Sequence, residues 1–210
     1  MTRSIEDIVA LSPVIPVVVV EAVQDAVPLA EALLAGGIGI IEITLRTPQA
    51  LEAAARVAKA VPGIALGIGS VLDHRQLAAA RDAGAHFIVT PGTPPKLGEA
   101  LARSGLAALP GSGTVSEMLA LRDLGFRHMK FFPAEPAGGM AYLKAVSGPI
   151  ADLRFCPTGG IDAEKAKNYL TLPNVPCVGG SWLAPEALVR ARDWAAITKR
   201  ATDTLAALKS

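Results

Sequence analysis

The sequence predicts an α/β protein built as one (β/α)8 barrel over residues 1–210, with a short helix ahead of the first strand. Three observations carry that expectation. Short apolar runs alternate with Ala-rich amphipathic stretches along the whole chain; the runs lack the in–out alternation of half-exposed strands; and no Gly-rich dinucleotide fingerprint follows the first run. Strict β–α alternation implies parallel strands joined by helical crossovers. Continuous apolar strands imply burial on both faces. The rival, a doubly wound open sheet, wants glycines where this chain reads Val20-Glu21-Ala22-Val23.

The elements follow in order. A helix is expected near 4–11. Apolar runs place strands over 14–20, 39–43, 64–68, 86–89, 107–109, 128–132, 153–156 and 176–179. Helices are expected between them, over 27–34, 48–60, 75–83, 115–124 and 163–170 among others, and a long one closes the chain over 185–208. Asp73, just before His74, reads as a helix cap.

At 210 residues the chain can bury a sizeable core in one domain. Half the composition is hydrophobic with few aromatics, which suits parallel strands under Ala-rich helices and argues against disorder. A formal net charge of +1 leaves no field to recruit nucleic acid or an anionic membrane. Cys156 and Cys177 are expected as free thiols of a cytoplasmic protein. The apolar stretch 8–20 follows Glu6 and Asp7 and is interrupted by Pro13 and Pro16, unlike a secretory leader. No run reaches membrane-spanning length, so the expectation is a soluble chain without a membrane partner.

One residue breaks the apolar pattern of its strand. In His128-Met129-Lys130-Phe131-Phe132-Pro133 an ammonium sits inside an apolar run, and lysine is almost never fully buried unless paired or functional. Burial disfavours the ammonium form of a lysine, and a neutral amine attacks ketones, the first step of Schiff-base catalysis. An inward lysine on a barrel strand meets substrate entering from the strand C-termini. Glu42 repeats the anomaly in the second run. Glu42, Thr44 and Arg46 share parity and so point the same way in an extended chain. An inward Glu42 would share a proton with Lys130, and Arg46 would grip a substrate carboxylate with its guanidinium fork. Without Lys130 the same residues would fit a structural ion pair.

Two glycine pairs follow the last two strands, in Cys156-Pro157-Thr158-Gly159-Gly160 and Val178-Gly179-Gly180-Ser181-Trp182. Barrels often bind phosphate on the loops after strands seven and eight, and glycines let backbone N–H groups approach an anion. Tight turns alone would also require glycine. Gly67-Ile68-Gly69-Ser70 and Thr90-Pro91-Gly92 stand at earlier strand ends and are expected to wall the pocket. His74, His86 and His128 have no metal-ligand spacing, and no Ser-His-Asp signature appears.

Together, Val14-Ile15-Pro16-Val17, Glu42-Ile43-Thr44-Leu45-Arg46-Thr47, Pro110-Gly111, Phe131-Phe132-Pro133-Ala134-Glu135, Arg154-Phe155-Cys156-Pro157-Thr158-Gly159-Gly160 and Gly179-Gly180-Ser181-Trp182 resemble the 2-keto-3-deoxy-6-phosphogluconate (KDPG) aldolase and 4-hydroxy-2-oxoglutarate (KHG) aldolase family, from about residue 5 to the end. The resemblance implies a homotrimer of barrels in the Entner–Doudoroff pathway, using a covalent lysine imine and no metal or other cofactor. It implies Lys130 as the Schiff-base lysine and Glu42 as general acid/base acting through a water. Arg46 and Ser70 would bind the pyruvate carboxylate, Pro91 and Phe132 would wall the pyruvyl end, and Thr158 would face the reacting centre. Gly159, Gly160, Gly179, Gly180 and Ser181 would hold the phosphate. The chain departs from the family pattern at Gly69-Ser70-Val71, where the family has Gly-Thr-Val, so one methyl is lost and the hydroxyl kept. Two other readings stay open on the residues: a sugar-phosphate epimerase, isomerase or decarboxylase using Lys130 as a charge, and a non-catalytic phosphosugar binder. The preferred substrate also stays open among KDPG, its C4 epimer and KHG.

Overall fold

Apolar runs separated by Ala-rich segments pair side by side in this chain, whose computed structural model describes residues 4–209. The order is α1 (Ile5–Val9), β1 (Val14–Val18), α2 (Ala26–Ala35), β2 (Ile40–Thr44), α3 (Ala50–Ala60), β3 (Ala65–Gly69), α4 (His74–Asp82), β4 (Phe87–Val89), α5 (Pro95–Arg103), β5 (Ala107–Leu109), β6 (Gly111–Ser112), α6 (Val115–Asp123), β7 (His128–Phe131), α7 (Gly139–Ser147), β8 (Arg154–Pro157), α8 (Ala163–Tyr169), β9 (Val178–Gly180), α9 (Glu186–Arg190) and α10 (Trp194–Lys209). Local chemistry sets the helix starts. Ser4 and Asp7 form a reciprocal capping box on α1, and Thr114 and Glu117 form another on α6. The Asp73 carboxylate accepts the N–H groups of Arg75 and Gln76 at 2.8 Å, as expected for α4.

All strand pairs are parallel. A six-stranded curled sheet runs β5-β4-β3-β2-β1-β9, and a three-stranded sheet runs β6-β7-β8. The single eight-stranded sheet expected from the sequence is thus divided. Pro110 is the cause at one seam, because proline has no N–H to give to a ladder and separates β5 from β6. The carbonyl of Pro110 still accepts the Lys130 N–H at 3.0 Å. At the other seam β8 and β9 share one parallel bridge, between Thr158 and Gly179. The expected long final helix is also two. Arg192, at φ 54°, turns the chain between α9 and α10, its guanidinium bonds Asp25 at 2.8 Å, and the Asp193 carboxylate accepts the Ala196 N–H to start α10.

Every residue of β1, β2 and β3 is buried, as strands covered on both faces require. Ala50, Ala53, Ala54 and Val57 of α3 are buried on the helix face that packs on β2 and β3. The Phe87 ring lies on bare backbone at Gly67, where a Cβ would sit 2.5 Å from Cε2. Among the described residues no helix is long and apolar enough to cross a membrane. Because the strands are parallel, Thr44, Ser70, Pro91, Phe132, Thr158 and Ser181 all lie at or just past C-terminal strand ends, on one rim.

Candidate active site

β2 and β7 bring the two anomalous charges together. Lys130 Nζ donates to Glu42 Oε1 at 3.3 Å, and the two residues are 4% and 2% exposed. The chain separation is 88 residues, so only the fold makes this pair. Each is held in its own sheet: Glu42 stands beside Val17 and Gly67, and Lys130 beside Gly111 and Cys156. A buried ion pair recovers its desolvation cost only with good geometry, so this pair is weak evidence of a stabilising role and marks a candidate site. Phe132 covers the amine, its ring centroid 5.4 Å from Nζ.

Glycine makes the room for the Glu42 side chain. A Cβ at Gly69 would lie 2.6 Å from Glu42 Cδ and closer still to Oε1, so the carboxylate rests on the bare backbone of β3. Gly111 likewise leaves space for the Pro91 carbonyl. Thr44, fully buried, donates its hydroxyl to Val18 O at 3.0 Å rather than to the pair. Arg46 lies beyond the end of β2, exposed, and its Nε donates to Ser70 Oγ at 3.4 Å. Ser70 sits at φ 60°, a left-handed backbone unusual for a residue with a Cβ. A strained residue persists where the surroundings over-determine it, and here the strain turns a hydroxyl toward a guanidinium.

The glycine pairs meet across the seam between β8 and β9. Thr158 is buried, and a Cβ at Gly179 would collide with its Oγ1. Gly159 and Gly160 take φ of +107° and +78°. A Cβ at Gly180 would enter the Trp182 ring, so that glycine is a packing requirement as well. Ser181 is exposed beside them. The residues expected at the site thus lie at or just past C-terminal strand ends, except Glu42 and Lys130, which lie within β2 and β7.

Several groups near the site make contacts that their sequence motifs do not reveal. Gly69 owes its role to a contact across strands that no spacing rule reveals. Glu135, Lys165 and Tyr169 stand behind the Gly159-Gly160 turn: Lys165 Nζ lies 2.7 Å from Glu135 Oε2, and the Tyr169 hydroxyl donates to Glu135 Oε1 at 2.6 Å. Those two bonds hold the Glu135 carboxyl below its ordinary range, and Glu135 in turn raises Lys165. Burial first, then the bond to Glu135, pushes the Tyr169 phenol up. Cys156 and Cys177 are free and buried; the neighbouring Cys156 thiol together with burial raises the Cys177 thiol well above its usual range. His128 begins β7 away from the rim, its Nδ1 3.2 Å from Glu6 Oε1 but misaligned for a hydrogen bond. Among the described residues no group of three or more His, Cys, Asp or Glu side chains is arranged to hold a metal.

Comparison with known proteins places this geometry in context. The family model described as KDPG and KHG aldolase matches residues 5–200. A 2-dehydro-3-deoxy-phosphogluconate aldolase of Pseudoalteromonas atlantica is 46% identical over 97% of this chain and 94% of its own length. A KDPG aldolase structure from Legionella pneumophila, with pyruvate captured at low pH as a covalent carbinolamine intermediate, superposes with a TM-score of 0.95 at 42% identity, covering 98% of this chain and 100% of that one. The Zymomonas mobilis ZM4 enzyme with 3-phosphoglycerate gives a TM-score of 0.92 at 43% identity, covering 98% and 97%.

Proposed function

Because this chain belongs to the KDPG and KHG aldolase family, we propose that it is a class I aldolase cleaving 2-keto-3-deoxy-6-phosphogluconate to pyruvate and glyceraldehyde 3-phosphate, with 4-hydroxy-2-oxoglutarate cleaved to pyruvate and glyoxylate as a second reaction. The observation that carries this reading is the buried Lys130–Glu42 contact of 3.3 Å between β7 and β2. Pyruvate held covalently in the Legionella pneumophila relative supports the imine route, and 3-phosphoglycerate in the Zymomonas mobilis relative supports a phosphorylated substrate.

The residues suggest how the reaction runs. Lys130 Nζ attacks the C2 ketone to give a carbinolamine, which loses water as Glu42 delivers protons, leaving a protonated imine. Glu42, directly or through one water, then takes the C4 hydroxyl proton. The C3–C4 bond breaks, its electron pair passes to the iminium, and the aldehyde leaves. Return of a proton to C3 and hydrolysis release pyruvate and restore the amine. The iminium is itself the electron sink, so the mechanism calls for no metal or other cofactor. Arg46 and Ser70 hold the pyruvate carboxylate, Pro91 and Phe132 wall the pyruvyl end, and Thr158 faces the reacting carbons. Gly159, Gly160, Gly179, Gly180 and Ser181 offer backbone and hydroxyl donors to the phosphate.

The two sheets are best read as arcs of one closed eight-stranded barrel; the Lys130–Pro110 bond and the Thr158–Gly179 bridge at the seams support this. Residues 1–210 then form one catalytic domain, and family likeness extends the proposal to a cytoplasmic homotrimer of the Entner–Doudoroff pathway. Pyruvate release tests the function. The parent chain is expected to release pyruvate from KDPG with a higher kcat/KM than from 4-hydroxy-2-oxoglutarate, and Lys130→Met to release none from either. Turnover that survives Lys130→Met sinks the proposal.

A further inference from the structure

The turn that carries Gly159 and Gly160 is braced from one side by groups that take no part in the reaction steps above. Three successive carbonyls of the turn are tied down. Thr158 O accepts the Ala134 N–H at 2.8 Å, Gly159 O accepts the Glu135 N–H at 3.2 Å, and Gly160 O accepts Lys165 Nζ at 3.0 Å. A trans peptide is planar, so a carbonyl held one way sends the N–H of the same unit the other way. The N–H groups of Gly159, Gly160 and Ile161 therefore point away from the brace. Successive N–H groups on one side of a turn make an anion-binding concavity.

The third of these ties depends on side chains alone. Lys165 is fixed by the Glu135 carboxylate at 2.7 Å, and that carboxylate is fixed by the Tyr169 hydroxyl at 2.6 Å, itself on a residue 1% exposed. Gly160 has no Cβ to obstruct the arrangement; one there would lie 2.8 Å from Glu135 Cγ. We propose that Glu135 and Lys165 are positioning residues that set the enzyme's preference for phosphorylated substrates, by holding the Gly159-Gly160 turn in its anion-accepting conformation. This rests on the reading of the glycine pairs as the phosphate site. Lys165 acts through the Gly160 carbonyl and not as a free cation, because Glu135 neutralises it.

The test compares kcat/KM for KDPG and for 4-hydroxy-2-oxoglutarate across the parent, Lys165→Ala, Lys165→Arg and Glu135→Gln. Loss of one charge-assisted bond predicts that the KDPG/KHG ratio falls about tenfold in Lys165→Ala, mainly through KM for KDPG. Lys165→Arg keeps a donor and a positive charge and is expected to recover most of the ratio. Glu135→Gln separates positioning from simple charge. It lowers the ratio if Lys165 must be held, and raises it if Lys165 attracts phosphate as a freed cation, which would overturn the proposal. An unchanged ratio in Lys165→Ala would overturn it as well, and that substitution, on a side chain 44% exposed, decides the matter even if Glu135→Gln does not fold. A parent enzyme with no preference for KDPG and no competition by glycerol 3-phosphate removes the phosphate site and this role with it. A preference that is present but indifferent to Lys165 removes only the role.

Discussion

Gly69→Ala adds one methyl group to β3 where the Glu42 carboxylate rests. The φ of Gly69 lies outside the left-handed range, so alanine meets no backbone penalty and the effect is one of space. The new Cβ would begin 2.6 Å from Glu42 Cδ, whereas ordinary contact starts at 3.4 Å. The backbone has little freedom to yield, because Gly69 is paired with Thr44 and its carbonyl accepts the Leu45 N–H at 2.8 Å. The carboxylate must therefore retreat by about 1 Å, and a displacement of that size at a reacting group costs ~100-fold in rate, near 2.7 kcal/mol of barrier. Overpacking should lower stability by about 1–3 kcal/mol. Pyruvate release gives kcat, and urea unfolding gives the stability change. A folded variant with kcat within about twofold of the parent would refute the argument that Glu42 must occupy this exact place.

Other consequences are as direct. Ser70→Gly removes a left-handed non-glycine residue and should add about 1 kcal/mol of stability while raising KM several-fold through loss of the hydroxyl beside Arg46; a less stable variant with unchanged KM would contradict both halves. His128, the first residue of β7, gives a test by titration. Burial lowers its pKa, with Arg154 adding to the effect and Glu6 opposing it, so the unfolded chain takes up this proton first as pH falls. Stability from this group is complete above the ordinary imidazole value near ~6.5 and is lost as pH drops toward the lower folded value, by up to about 1.36 kcal/mol per pH unit. His128→Asn should lose less stability than the parent between about pH 7.5 and pH 5.5 by urea unfolding, and equal losses would remove His128 from that account.

What could be read from sequence was whatever interrupted a pattern. Lys130 and Glu42 are charges in apolar runs, and the fold brings them into contact; the two glycine pairs recur at the ends of β8 and β9. Parity grouped Glu42 with Thr44 and Arg46, but Thr44 turned to the Val18 carbonyl, and Arg46 lay past the strand beside Ser70, where strand parity no longer applies. Pro110 follows the expected run 107–109 directly, and a residue with no N–H to give marks the end of that ladder. The split after α9 depends on Asp193 as a cap and on Arg192 reaching Asp25, 167 residues away. Gly69 and the Glu135–Lys165–Tyr169 brace are contacts between distant segments, beyond any local spacing rule.

The central claim is that Lys130 forms an imine with the keto acid. Borohydride reduction in the presence of pyruvate, followed by peptide mass spectrometry, tests it most directly. A reduced pyruvyl adduct on the peptide carrying Lys130, absent from Lys130→Met, is the predicted result. Folded protein that binds pyruvate yet yields no adduct, or an adduct on another lysine, would contradict the account and leave Lys130 as a charge or a structural ion-pair partner.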